Sequence, residues 1–327
     1  MQILLTDFLN NVNQAGIGIT AALRRDERRR PRRSDVPHRS IRYCLQRSYG
    51  KVGMPGSEPY ERFMALHTRD GGFVMPNAWD GLSALMLADA GFEAIATSSA
   101  AFAATLGRSD GRHQVTRGEH LEHARLLGQL TGLPVNGDFE DGYGDTMEDV
   151  AATVEAAVAS GLAGIGIEDT SGNPHQPIRD FDDAVNRMRS AVDAGKGRIV
   201  ITGRTDNFIQ GRPDLDDTIQ RLTAFAEVGA DVLYAPYPPD LDALVAIVTA
   251  VAPTPVNVLI SPADKILTVA ELQKAGVKRI SLGPALYTHA MAALERATRA
   301  LVAGDLTAAT TGINFERVSG LLARDTD

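Results

Sequence analysis

Residues 135–144 read VNGDFEDGYG, an apolar run that leads into three carboxylates within four positions and then into Gly-Tyr-Gly. Side chains alternate between the two faces of a β-strand, so Asp138 and Glu140 point the same way and Asp141 points the opposite way. Two carboxylates on one side of a strand end repel each other unless a cation lies between them, and Mg2+ takes such oxygen ligands. The stretch therefore predicts a Mg2+ site at a strand end or, as the simpler alternative, an acidic turn exposed to solvent.

The same strand-to-turn pattern recurs along the chain. Apolar runs with strand character lie at residues 73–76, 94–98, 134–139, 164–168, 198–203, 231–235, 255–260 and 278–282. Segments with helical spacing of apolar residues lie at 83–90, 119–130, 147–160, 182–194, 216–228, 240–251, 268–275 and 285–303. Strand and helix alternating eight times in about 230 residues predict a closed (β/α)8 TIM barrel. An open doubly wound sheet is disfavoured because a glycine-rich phosphate fingerprint is missing.

Bulk composition narrows the class of partner. The 327 residues are 44% hydrophobic and 23% charged, which is ordinary for a globular protein, and the formal net charge of −8 disfavours nucleic acid. No apolar run reaches the roughly 18 residues that span a bilayer, so we expect no membrane partner. The single cysteine, Cys44, excludes an intramolecular disulfide and, with a start that does not resemble a secretory signal, favours a cytoplasmic location.

An arginine-rich segment precedes the predicted barrel. Residues 24–47 contain ten arginines and few acids, which is typical of an arm that binds nucleic acid or an anionic membrane. We favour a disordered leader over residues 1–53, or an upstream extension of the reading frame with Met54 as the natural start, because hydrophobic periodicity is not sustained there. Residues 54–327 are then expected to form one catalytic barrel.

Polar residues collect where the predicted strands end, which is where barrel enzymes place their catalytic groups. The candidates are Ser98 and Ser99 after the second strand with Asp110 downstream, Asp138 and Glu140 after the third, Glu168 after the fourth, Arg204 after the fifth and Asn257 on the seventh. The acids would hold Mg2+ partly through water, and the arginine offers a planar fork for a substrate carboxylate. The serines and nearby backbone N–H groups would hold a second anionic end.

Such a set suits a reaction in which negative charge grows on a carbonyl oxygen, as in enolate formation. Two simpler interpretations stay open. Arg204 could form a structural ion pair with Asp206 or Glu168, and the small residues 97–99 could serve only to pack a helix against the barrel.

In these motifs the chain resembles the isocitrate lyase / phosphoenolpyruvate mutase superfamily. The matching segments follow the family order across about residues 60–310 and are PNAWD (76–80), TSS (97–99), LG (106–107), DG (110–111), GDFEDGYG (137–144), GIED (166–169), GRTD (203–206) and SLGP (281–284).

The resemblance implies an α/β barrel whose last helix swaps onto a neighbouring subunit, giving homodimers or homotetramers. It implies Mg2+, with Mn2+ possible, held through Asp138, Glu140 and Glu168, and it places Asp110 close to the reacting centre. Small 2-oxo or 2-hydroxy carboxylates would bind through the metal, Arg204 and the backbone at the two serines. Bonds from carbon to carbon or to phosphorus would form or break beside a carboxylate through an enolate-like oxyanion.

The loop after the fourth strand departs from the family. Lyases of the family carry Lys-Cys-Gly-His there, whereas the only cysteine of this chain precedes the barrel. Mutases and phosphonopyruvate hydrolases carry a lysine and an asparagine in this loop, and here residues 170–177 read TSGNPHQP, without a lysine. His175 is its obvious titratable group, so we predict a general acid or base delivered by lid closure, with an exposed loop histidine as the alternative.

The sequence therefore favours a Mg2+-dependent carbon–carbon lyase acting on a small 2-hydroxy or 2-oxo dicarboxylate, in the manner of 2-methylisocitrate lyase. Three alternatives remain: phosphonomutase or phosphonopyruvate hydrolase chemistry, decarboxylation or hydrolysis of an oxaloacetate-like acid, and a non-catalytic 2-oxo-acid binder.

Deleting residues 1–53 is expected to leave folding unchanged, because the predicted barrel lies downstream of them. Circular dichroism melting should give the same midpoint for the full and shortened chains, and gel-shift titration should show no nucleic-acid binding by either. Binding that disappears with the deletion would instead assign the arginines to a nucleic-acid arm.

Overall fold

The computed structural model describes residues 57–259 and 267–323, in which eight parallel strands alternate with helices. The strands are β1 Phe73–Met75, β2 Ile95–Ala96, β3 Val135–Asp138, β4 Gly164–Glu168, β5 Val200–Arg204, β6 Val232–Tyr234, β7 Val256–Val258 and β8 Arg279–Ser281. Each strand pairs with its sequence neighbour from β2 to β8, and β8 pairs with β1. The predicted TIM barrel is confirmed. The leader predicted over residues 1–53 lies outside the described residues.

The seam between β1 and β2 is closed by few contacts. A single bridge joins Asn77 to Ala96, and the Ala96 N–H donates to the Pro76 carbonyl at 2.9 Å. The Asn77 side chain extends the seam, because its Nδ2 donates to the Thr97 carbonyl at 2.6 Å while its Oδ1 accepts from the N–H of Gly283 at 2.8 Å. One amide therefore ties the ends of β1, β2 and β8 together.

Twelve helices lie in the described part of the chain. They are α1 Ser57–Thr68, α2 Gly81–Asp89, α3 Ser99–Thr105, α4 Arg117–Thr131, α5 Met147–Ala159, α6 Phe181–Gly195, α7 Leu215–Glu227, α8 Leu241–Val251, α9 Val269–Lys274, α10 Ala285–Val302, α11 Thr307–Thr310 and α12 Phe315–Leu322. Several begin at a capping box, in which the hydroxyl of Thr116, Thr146 or Thr268 accepts the N–H of an acidic residue three positions on. Sequence periodicity predicted eight of the helices within a few residues and missed α1, α3, α11 and α12.

Helix α1 packs against the N-terminal ends of the strands and forms the floor of the barrel. Phe63 is fully buried there and meets Phe73 edge to face, with 6.3 Å between the ring centroids. The backbone of β4 approaches so closely that a Cβ added at Gly164 would lie 2.6 Å from a Phe63 ring carbon. The neighbouring His67 is also buried, and burial together with the charge of Arg279 lowers its pKa to about 3, so its ring is neutral.

The long helix α10 contributes nothing to the described core, since none of its residues is buried. Leu294 is 55% exposed and Val302 is 91% exposed. The structure describes a single chain, so the swapped last helix and the dimer or tetramer stay predictions. Among the described residues, no helix combines the length and the apolar character needed to cross a bilayer.

Replacing Phe63 by alanine is expected to lower the free energy of unfolding by about 3–5 kcal/mol, because it removes a fully buried ring and leaves a cavity in the floor. Chemical denaturation measures the effect. The control is Phe315→Ala on α12, whose side chain is 77% exposed and should cost about 0.5 kcal/mol or less. Equal losses for the two variants would contradict the role given to α1.

Candidate active site

A cavity of about 340 Å³ opens at the C-terminal ends of the strands. Its lining includes all but one of the residues proposed from the sequence: Ser98, Ser99, Asp110, Asp138, Glu140, Glu168, Arg204 and Asn257. They come from five strands and the segments that follow them. The barrel thus brings together side chains that are far apart in the sequence, such as Ser98 and Asn257 (257 − 98 = 159 positions).

Arg204, the last residue of β5, is surrounded by carboxylates. Its Nε and Nη2 donate to the two oxygens of Asp206 at 2.5 and 2.8 Å. Its Nη1 lies 3.0 Å from Glu168 Oε2 and 3.4 Å from Asp138 Oδ1. Burial acts to lower the pKa of Arg204, but these negative charges outweigh it and raise the pKa well above its ordinary value, so the side chain stays cationic. The ion pairs considered from the sequence therefore form, and they orient the guanidinium within the cavity.

The acids around Arg204 carry more negative charge than it can balance. Burial, together with the charge of Asp110, raises the pKa of Glu140 to about 7. Burial also raises the pKa of Glu168 despite the attraction of Arg204, and burial with the charge of Asp138 raises the pKa of Asp110. Among the described residues, five acids and two arginines line the cavity. A further positive charge in the cavity would therefore be stabilised.

Asp138 is held by the start of α3. Its Oδ2 accepts from both the N–H and the hydroxyl of Ser99, each at 3.0 Å. The Ser98 hydroxyl caps the same helix by accepting the N–H of Ala101 at 3.3 Å. In this arrangement the two serines position a carboxylate, and their predicted contact with a substrate anion stays a prediction.

Glu140 is held in a conformation that few residues other than glycine adopt, with φ at +47°. Its Oε1 accepts from the hydroxyl of Tyr143 at 3.2 Å, and its side chain is buried. The turn that follows β3 therefore directs Glu140 into the cavity beside Asp110 and Asp138, and it does so at a cost in backbone strain.

The donor set fits Mg2+ held largely through water. Within residues 57–259 and 267–323, no three His, Cys, Asp or Glu side chains are close enough together to chelate a metal directly. Mg2+ commonly uses only one or two carboxylates and keeps several waters, and the cavity offers Asp138, Glu140 and Glu168 for that purpose. Burial raises the pKa of Glu140 and of Glu168, and a divalent cation beside them would favour their ionised forms.

His175 is the predicted residue that the structure does not bring into this cavity. Its side chain is exposed at the tip of the loop after β4, and its N–H donates to the Asn173 side chain at 2.9 Å. The loop is closed at its base by a bridge between Thr170 and Ile178. A general acid or base delivered by movement of this loop stays a prediction.

Sequence reasoning missed His113, which lies beside the acidic turn. Its Nε2 is 2.8 Å from Asp141 Oδ1 and 3.9 Å from Glu140 Oε2, and its ring packs against Tyr143. The hydrogen bond to Asp141 raises the pKa of His113 above its ordinary value, against the effect of burial. These partners lie 27 or more positions away (140 − 113 = 27), so local spacing contains no signal for the contact.

The second missed residue is Arg279 on β8, which lines the same cavity and is 1% exposed. The sequence gives only a weak signal for it, because it follows Lys278 at the start of a predicted strand, where a charged residue is ordinarily exposed. Other polar lining residues that were not proposed as site residues include Tyr234 on β6 and Asp206 after β5.

Comparison with known proteins places this geometry in a family. A protein of Mycobacterium tuberculosis that is uncharacterized is 35% identical over 243 residues, which are 74% of this chain and 90% of that protein. The crystal structure of a provisionally assigned lyase/mutase from Burkholderia cenocepacia is 40% identical and superposes with a TM-score of 0.79, covering 83% of this chain and 97% of the other. The 2-methylisocitrate lyase of Escherichia coli is 31% identical over 143 residues, which are 42% of this chain and 48% of that enzyme.

The model of the phosphoenolpyruvate phosphomutase family matches residues 63–302, which include every strand of the barrel and every acid of the cavity. The chain belongs to this family, within the isocitrate lyase / phosphoenolpyruvate mutase superfamily of lyases and mutases.

Proposed function

We propose that the protein is a Mg2+-dependent lyase that acts on a small 2-hydroxy or 2-oxo dicarboxylate through an enolate-like intermediate, in the manner of 2-methylisocitrate lyase. The observation that carries the proposal is the meeting of Asp110, Asp138, Glu140 and Glu168 with Arg204 in one cavity at the catalytic end of the barrel. The family membership supports it, since lyases and mutases share this superfamily.

Each residue has a separate task in this proposal. Asp138, Glu140 and Glu168 would hold Mg2+, which supplies a Lewis acid that polarises a substrate oxygen. Ser99 fixes Asp138 through two hydrogen bonds, and Asp206 holds the plane of the Arg204 guanidinium through two more. Nη2 of Arg204 donates one N–H to Asp206 and retains the other for a substrate carboxylate.

Bond cleavage needs two proton transfers. A base removes the hydroxyl proton of the substrate, the electron pair of the breaking carbon–carbon bond moves onto the fragment that becomes the enolate, and an acid returns a proton to carbon. Asp110 is our candidate for one of these transfers, because it lines the cavity and because burial and the charge of Asp138 raise its pKa above the ordinary value. His175 is retained as the candidate for the other if the loop closes.

The second candidate function is decarboxylation or hydrolysis of an oxaloacetate-like acid. The loop at residues 170–177 contains neither the cysteine nor the lysine that the family's lyases and mutases carry there. Decarboxylation or hydrolysis of such an acid needs only the enolate-forming half of the chemistry. It could therefore proceed without a cysteine or a lysine in this loop.

Assembly and location follow the same proposal. We propose a homodimer or homotetramer, which the exposed apolar residues of α10, such as Leu294, support. We also propose a cytoplasmic location, which the single cysteine supports.

Calorimetric titration with oxalate, a planar mimic of an enolate, tests the metal-dependent site. The wild-type protein is expected to bind oxalate with a micromolar Kd only when Mg2+ is present. Asp138→Asn should weaken this binding at least about 100-fold, because it removes a charge that holds the metal while still accepting from Ser99. The control is Asp182→Asn, an exposed residue on the outer helix α6. Oxalate binding that is equally tight without Mg2+, or that is unchanged in the Asp138→Asn protein, would contradict the proposed site.

The acidic cluster also predicts how stability depends on pH in the absence of metal. The pKa of Glu140 is about 7 in the folded protein against 4.5 in its reference state, so the folded state binds more protons between these values. Its contribution to stability therefore falls as pH rises from about 4.5 to 7. Glu140→Gln should raise the thermal unfolding midpoint at pH 8 and leave it unchanged at pH 4.

Glu58→Gln, on the exposed side of α1, is the control and should have no effect at either pH. A Glu140→Gln protein that melts below the wild type at pH 8 would show that the ionised carboxylate is stabilised by its neighbours, contrary to this interpretation.

A further inference from the structure

Arg279 lies deep in the cavity, in the same hydrogen-bonded row of strand positions as Arg204. Arg204 pairs in register with Tyr234, Tyr234 with Asn257, and Asn257 with Arg279. Residues paired in register point to the same side of a sheet, and all four line the cavity. One arginine is at the end of its strand, near the mouth, and the other is the first residue of β8, near the floor.

The partners of Arg279 are all neutral. Nε donates to Asn257 Oδ1 and Nη2 donates to Thr202 Oγ1, each at 3.0 Å. Nη1 lies 3.4 Å from Nε2 of His67, a ring that stays uncharged, and the guanidinium sits 5.9 Å from the centre of the Phe63 ring. Among the described residues, no carboxylate lies within 4.0 Å of it.

Two other buried arginines of this chain, unlike Arg279, lie close to a carboxylate. Arg187 and Arg221 are buried to a similar degree, and each lies within 4.0 Å of a carboxylate: 3.8 Å from Asp141 and 2.8 Å from Asp217 respectively. A buried charge without a counter-ion is costly. Consistent with that cost, burial lowers the pKa of Arg279 to about 9. The fold therefore retains at this position a cation that it does not neutralise.

The cavity that Arg279 lines is open and has both polar and apolar walls. The interior of a TIM barrel is ordinarily filled by layers of bulky branched side chains. Here Ala96, Gly166, Thr202 and Ser281 line the cavity, and a Cβ added at Gly166 would meet only a backbone oxygen, at 3.8 Å.

One more polar group in this space has no partner. The Oδ1 of Asn136, a buried residue of β3 that lines the cavity, makes no hydrogen bond to any described residue. A buried amide left in this state is expected to meet water or a ligand. The Asn136 oxygen can only accept a hydrogen bond, so it calls for a donor such as water, whereas the uncompensated charge of Arg279 calls for an anion.

We propose that Arg279 binds the second carboxylate of the substrate, so that the site selects dicarboxylates over monocarboxylates of the same length. The proposal rests on the proposed function, in which Arg204 and the metal hold the reacting end. The distal carboxylate would accept from the free N–H groups of Arg279, with the hydroxyl of Ser281 beside it. Asn257 positions the guanidinium through the hydrogen bond to Nε.

Calorimetry with matched ligand pairs tests the proposal on the wild-type protein in the presence of Mg2+. The pairs are 2-oxoglutarate with 2-oxopentanoate, and malate with 2-hydroxybutyrate, which differ only in the distal carboxylate. We expect the dicarboxylate of at least one pair to bind 10-fold or more tightly than its partner. Equal affinities within both pairs would overturn the proposal without any variant being needed.

Two variants assign the preference to this side chain. Arg279→Met should reduce the ratio of affinities to about one, and Arg279→Lys, which keeps the charge but loses the fork, should leave an intermediate ratio. A ratio that stays at the wild-type value in a folded Arg279→Met protein would overturn the proposal. Oxalate has no distal group and serves as the reference: its failure to bind wild-type protein would contradict the proposed function, whereas oxalate binding without dicarboxylate preference contradicts only this inference.

Discussion

Repulsion among the carboxylates that line the cavity is the constraint on which the catalytic end of the barrel depends. Asp138, Glu168 and Asp206 share one guanidinium, that of Arg204, and Glu140 and Asp110 lie in the same cavity without one. These carboxylates stay close together because they are attached to several strands of one barrel. No single side chain can therefore move away from the others. The cluster is therefore held by the fold and contributes little to holding it.

The barrel itself draws its stability from elsewhere. Two apolar layers, one between the strands and the outer helices and one at the floor under α1, lie away from the charged mouth. This separation lets the mouth hold strained and repelling groups, such as Glu140 at positive φ, while the apolar layers supply the free energy of folding.

The sequence was sufficient for the strand order and for most of the polar mouth, and the reason is geometric. Parallel strands that alternate with helices end on the same side of the sheet, so residues such as Glu168 and Arg204 could be assigned to one cavity from their positions alone. The same rule says nothing about the opposite end of the strands. Helix α1 was missed for that reason, and so was the environment of Arg279, whose contact with His67 spans 212 positions. His113 was missed because a loop residue meets Asp141 only after the loop has folded.

The closed floor has a consequence for the order of events in a cleavage reaction. Phe63 and His67 shut the N-terminal end of the barrel, so in the described part of the chain a ligand exchanges with solvent through the mouth. When a substrate is cut into two fragments in a pocket with one opening, the outer fragment obstructs the inner one. For the proposed cleavage, release would then be sequential: the fragment nearer Arg204 would leave first, and the fragment beside Arg279 would leave last. In the reverse direction the same two molecules would have to enter in the opposite order. The floor helix, which is remote from the chemistry, would in this way set the kinetic sequence.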